Sequence, residues 1–149
     1  MKIFAAFLIC LMCAGPALAD GLDTFLDNLS VEASADRYGA TASIGSHFGV
    51  PMGDVELIAG TTGSLTDAFM ILQLGRMSGL PRTRVMQAYQ SGRGRGWGAL
   101  AQDLGIKPGS AEFHALKRGE FDFVMPQSKK GGGKGPGHGN HGGGKGKKK

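Results

Sequence analysis

The sequence predicts an all-α protein: a small domain of five or six helices over residues 20–126. A signal peptide at 1–19 precedes it, and a disordered, Gly/Lys-rich cationic tail at 127–149 follows. Three observations predict this. Apolar residues between Leu22 and Phe121 recur at three- and four-residue spacing, the period of a helix with one buried face. Hydroxyl residues and acids precede these stretches and glycines follow them, the usual start and stop signals of helices. From Gln127 onward almost no apolar residue remains.

The first nineteen residues carry the three parts of an export signal in order. Lys2 is the positive start, Ile3 to Cys13 the apolar stretch, and Ala17-Leu18-Ala19 the small-x-small site, with cleavage expected before Asp20. Eleven apolar residues are too few for a bilayer, which needs about 20. Ile9 and Met12 stand before Cys10 and Cys13, where a lipid-accepting cysteine needs a small residue. Cleavage removes both cysteines, so a 130-residue mature chain would have no disulfide, no thiolate and no cysteine metal ligand. The expected location is the periplasm or the extracellular space.

Leu22, Phe25, Leu26 and Leu29 predict the first helix, with Asp23 and Asp27 on a solvated face. It is expected to run on through Ala33, Ala35 and Tyr38 and to weaken at Gly39. Six glycines and Pro51 punctuate residues 39–63, where Asp54 to Ala59 favours a short helix over a short strand. Ser64-Leu-Thr-Asp67 has the form of a capping box. The helix after it, with Leu65, Phe69, Met70, Leu72, Leu74 and Met77, is apolar around so much of its surface that it should be central, and Gly79 ends it. Pro81 opens the next helix, whose inner face is Val85, Met86 and Tyr89. After a Gly/Arg turn at Ser91–Gly96, Trp97, Leu100, Ala101 and Leu104 predict a short helix closed by Gly105, with Ile106 folding back. Ser110 caps a last helix carrying Phe113 and Leu116, which Gly119 ends.

Charge is divided sharply. Residues 20–126 hold 9 Lys/Arg against 12 Asp/Glu, whereas residues 127–149 hold 7 Lys and no acid. The overall pI of about 9.4 therefore belongs to the tail. Ten of the tail's 23 residues are Gly, so it cannot bury enough surface to offset its ordering entropy. Lys129, Lys130, Lys134, Lys145, Lys147, Lys148 and Lys149 make it a mobile polycation suited to anionic envelope surfaces or polyanions. His138 and His141 supply only half a tetrahedral metal shell. No residue pattern calls for a cofactor.

The stretch Gly96-Trp-Gly-Ala-Leu-Ala-Gln-Asp-Leu-Gly-Ile-Lys-Pro-Gly-Ser-Ala-Glu-Phe-His-Ala-Leu-Lys117 is the most distinctive. It resembles a segment of uncharacterised small exported helical proteins of bacteria. The resemblance covers about 22 residues firmly and implies export and a helical fold, but no activity and no site residue. The same stretch has the Ala-x-x-x-Gly spacing of a helix-turn-helix at Ala101 and Gly105. Pro108-Gly109 is an awkward turn for such a motif and Glu112 would face phosphate, so no specific DNA binding is expected.

Other motifs have simpler structural readings. Arg93-Gly-Arg-Gly-Trp97 has the residues to stack on a nucleic acid base or an anionic sugar, but the favoured reading places Trp97 as a core anchor beside a solvated turn. Gly92-x-Gly lacks the Gly-Lys-Ser/Thr ending of a phosphate loop. His47 and His114 are isolated, and Ser64 and Ser110 serve as caps rather than nucleophiles. Two classes stay open: a non-catalytic binding or structural module of the envelope, which the missing nucleophile–base cluster favours, and a hydrolase or metal-handling protein whose site gathers distant residues such as His47, His114 and an acid.

Overall fold

The computed structural model describes residues 21–124. Among these it shows seven α-helices and no strand. They are α1 (Gly21–Ala35), α2 (Arg37–Phe48), α3 (Met52–Thr62), α4 (Leu65–Ser78), α5 (Arg82–Ser91), α6 (Trp97–Asp103) and α7 (Ala111–Arg118). The all-α expectation holds, with a higher helix count. The signal-peptide segment, the tail lysines, His138 and His141 lie outside the described residues.

The additional helix is α2, where a single continuous first helix was expected to run on to Tyr38. Asp36, at φ −143° and ψ 83°, leaves the helical region and stops α1 before Tyr38. Its carboxylate then accepts the Gly39 N–H at 2.8 Å and so starts α2. Tyr38 and Gly39 thus belong to a new helix. Of the glycines between 39 and 63, only Gly49 (φ 65°) and Gly63 (φ 112°) end helices. Gly45 lies within α2 because the backbone returns across it. The Val50 N–H donates to the Gly45 carbonyl at 2.9 Å, and a Cβ on Gly45 would stand 2.8 Å from the Val50 oxygen.

The predicted central helix is central. Every residue of α4 from Ala68 to Leu74 is buried, and the helix touches α1, α2, α3, α5 and α6. The Ser64 hydroxyl accepts the Asp67 N–H at 2.9 Å, as the capping pattern requires. The same arrangement recurs at Ser110, which accepts the Phe113 N–H at 3.2 Å. Pro81 sits one position outside its expected place, as the cap before α5. At the end of α6, Gly105 takes φ 87° and the buried Ile106 donates back to the Ala101 carbonyl at 2.9 Å, the hydrogen bond of a Schellman closure.

The two ends of the described chain meet at a seam of glycines. A Cβ on Gly21 would collide with the Arg118 carbonyl, and one on Gly119 would stand 2.6 Å from the Gly21 oxygen. Beyond α7, Phe121 and Phe123 fold over this seam onto Phe25 and the fully buried Phe69, with ring centroids 4.9–6.4 Å apart. No single helix among the described residues is long and apolar enough to cross a membrane. The pair α3 and α4 passes that test only together, and it is bent by 110°.

Candidate functional site

The turn between α5 and α6 builds a chemically varied cavity. Gly94 and Gly96 occupy φ 85° and 79°, conformations that only glycine adopts without strain, and they reverse the chain within a few residues. The Arg95 N–H donates to the Gly92 carbonyl at 3.0 Å. The Arg95 guanidinium reaches both carboxylate oxygens of Asp103 on α6, at 2.6 and 3.4 Å. This fork ties the turn to the helix that follows. Arg95, singled out with Arg93 as a stacking candidate, is thereby committed to the scaffold.

So held, Trp97 at the start of α6 lies back on Tyr89 in the last turns of α5. The rings are 5.5 Å apart and 19° from parallel. The Arg93 guanidinium lies over the Tyr89 ring, 5.9 Å from its centroid, within cation–π range. The Tyr89 hydroxyl donates to Asp67 Oδ2 at 3.2 Å and approaches the Thr62 carbonyl at 3.4 Å. Burial, and then the negative charge of Asp67, raise the Tyr89 phenol above its ordinary value, so it remains a protonated donor.

These side chains, with Gly92, Gly94, Gly96 and Leu100, line a cavity of about 330 Å³. It offers an aromatic wall, an acceptor-only carboxylate at the hydroxyl tip of Tyr89, and a donor-only guanidinium over the Tyr89 ring. Trp97 packs against the core, as expected, but it is half-buried rather than fully buried and also lines the cavity.

Asp67 and Tyr89 are the members that sequence reasoning did not assign to a site. The sequence marks Asp67 as part of a capping box and Tyr89 as an inner-face residue, and nothing in their spacing shows that a hydroxyl and a carboxylate 22 residues apart will meet.

A second cavity, of about 400 Å³, lies between α3 and α5. Leu57, Ile58 and Met86 make it largely apolar, and Arg82 and Asp54 on its lining already pair with each other at 3.0 Å.

The two isolated histidines are not brought together. His47 is half-buried against Phe48 and Phe123, with ring centroids 4.6 and 5.2 Å away, and its Nε2 stands 3.2 Å from the Arg76 guanidinium. A guanidinium can only donate, so this contact requires a neutral imidazole accepting at Nε2. Burial and then the Arg76 charge lower the His47 pKa, with Asp122 acting in the other direction. His114 is exposed on α7. Neither histidine lines either cavity. Among the described residues, no three His, Cys, Asp or Glu side chains are placed to share a metal ion.

Comparison with protein-family models, with curated proteins and with solved structures finds no match.

Proposed function

We propose that this chain is an exported, non-catalytic binding module of the bacterial cell envelope. Its helical domain takes a small ring-bearing ligand in the Tyr89–Trp97 cleft, and its cationic segment 127–149 draws it to anionic surfaces. The observation that carries the reading is the cleft. Two stacked aromatic rings, a carboxylate and a guanidinium converge on one cavity beside a glycine turn that the Arg95–Asp103 pair joins to α6. Small-molecule sites have this make-up: an apolar wall with a few placed polar groups.

The chemistry of the same groups favours binding over turnover. The Tyr89 hydroxyl is spent on Asp67 and kept protonated, and Ser64 and Ser110 use their hydroxyls on helix N-termini. The signal-like segment 1–19 and the resemblance of Gly96–Lys117 to small exported bacterial proteins support the envelope location.

Trp97 is the only tryptophan in the chain, so intrinsic fluorescence reports on the cleft directly. The mature protein should be titrated with separate classes of envelope-derived fragments: neutral sugars, acidic sugars, muropeptides and nucleotides. The reading predicts a saturable change in Trp97 emission with at least one class, lost in Tyr89→Leu. No saturable response to any class would contradict it.

A further inference from the structure

Resting on that reading of the cleft, we infer that its ligand is an acidic sugar residue. The class is a pyranose ring bearing a carboxylate, as in a uronic acid, presented alone or within a polysaccharide. Four features of the cavity select this chemistry.

The first is size. A cavity of about 330 Å³ stands at the small end of the usual range for ligand sites, about 300–1,000 Å³, and suits one ring. The second is the wall. Tyr89 and Trp97 are stacked on each other and Arg93 lies over the Tyr89 ring, so a ligand cannot pass between the rings and meets Trp97 where it lines the cavity. An aromatic face is electron-rich and attracts polarised C–H groups. A pyranose offers a patch of C–H on its face and hydroxyls around its rim.

The third is Asp67. An ionised carboxylate only accepts, so the ligand edge beside it must donate, which sugar hydroxyls do and a carboxylate or phosphate does not. The fourth is Arg93. Its guanidinium only donates and matches a carboxylate with two parallel hydrogen bonds. Asp67 sits at the hydroxyl tip of Tyr89 whereas Arg93 sits over its ring, so the two charges address different parts of one ligand. Donors on one edge, a carboxylate on another and an apolar face between them describe a uronic acid.

The test is a Trp97 fluorescence titration of the mature protein in high salt, which screens the lysine segment. Three probes are used: a short oligogalacturonate, the same oligomer with its carboxyls reduced to alcohols, and a nucleoside monophosphate. We expect saturable binding of the acidic oligomer and binding at least about tenfold weaker for the reduced one, the scale of one charge-assisted hydrogen bond. Arg93 is exposed, so Arg93→Gln keeps the fold, which circular dichroism verifies. This variant should lose the discrimination between the acidic and reduced oligomers, and Asp67→Asn should weaken both. Equal binding of the two oligomers, or a response to the nucleotide alone, would overturn the acidic-sugar assignment and leave the cleft as a ligand site. No response to any probe, together with none to the wider fragment classes, would remove the cleft reading as well.

Discussion

Tyr89 and Trp97 lie nearly parallel, 5.5 Å apart, although the whole Ser91–Gly96 turn separates them in the chain. The contact joins two roles in one tryptophan. Trp97 both packs against the core and lines the cleft.

That division sets the expected cost of removing the ring. A fully buried Trp changed to Ala costs about 3–5 kcal/mol. Because Trp97 is half-buried, Trp97→Ala should destabilise by about 1–3 kcal/mol in denaturant unfolding followed by circular dichroism. Trp97→Phe should cost less than half as much. A loss under about 0.5 kcal/mol for Trp97→Ala would mean that the ring contributes nothing to the core.

Two glycines should respond oppositely to the same substitution. Gly60 lies inside α3, and a Cβ there meets no atom within 4 Å. Gly60→Ala should therefore stabilise by about 0.5–1 kcal/mol through helix propensity. Gly119 takes φ 64° and would drive a Cβ to 2.6 Å from the Gly21 oxygen. Gly119→Ala should destabilise by about 2 kcal/mol or more, because both the backbone conformation and the α1–α7 seam resist it. Thermal unfolding of both variants reads the contrast as melting-temperature shifts of opposite sign.

His47 makes stability fall on the acid side of neutrality. Its folded pKa lies below the ordinary value of 6.5, so below about pH 6.5 the unfolded chain takes up a proton that the folded protein resists. Unfolding free energy therefore rises with pH across that window: the His47 contribution is complete above it and is lost as pH falls toward the folded pKa. Glu56 acts lower. Hydrogen bonds from Thr41 and Arg37 lower its pKa below 4.5, so its contribution disappears only as pH falls below that value. His47→Gln should flatten the melting temperature between about pH 7 and pH 5 and leave the more acidic loss in place. An unchanged slope in that variant would assign the effect to another group.

The lysine segment should act independently of the cleft. Near an anionic membrane each lysine is worth up to about 1 kcal/mol, less as salt screens it. Binding of the mature protein to anionic vesicles should weaken steeply with salt and vanish on deletion of residues 127–149. It should survive scrambling of that segment with its lysines kept. Salt-insensitive binding, or full binding by the chain ending at Pro126, would place the surface contact in the helices.

Much of the fold was legible because its signals are local. Ser64, Ser110 and Gly119 mark helix ends through bonds to neighbours a few residues away, Gly79 does so through its left-handed backbone, and the apolar density of 65–77 made α4 central. The missed boundary at Asp36 has a local cause too, but it was masked. Tyr38 continues the apolar spacing of α1, although it is exposed in α2. Gly45, Gly53 and Gly60 looked like breaks because spacing alone does not separate a glycine that ends a helix from one that sits within it. The site was legible only in part. Arg93 and Trp97 are neighbours in sequence and their stacking chemistry can be named, whereas Asp67 and Tyr89 join them only through the packing of α4 against α5.

Nuclear magnetic resonance distinguishes ligand selection by the Tyr89–Trp97 cleft from attraction by the lysine segment. Amide and indole shifts of the ¹⁵N-labelled mature protein should be followed during titration with an acidic oligosaccharide. Saturable shifts are expected at the single indole N–H of Trp97 and at the amides of Asp67, Tyr89, Gly94 and Gly96, persisting in high salt. Shifts confined to residues 127–149 and abolished by salt, with the Trp97 indole unmoved, would contradict selection by the cleft.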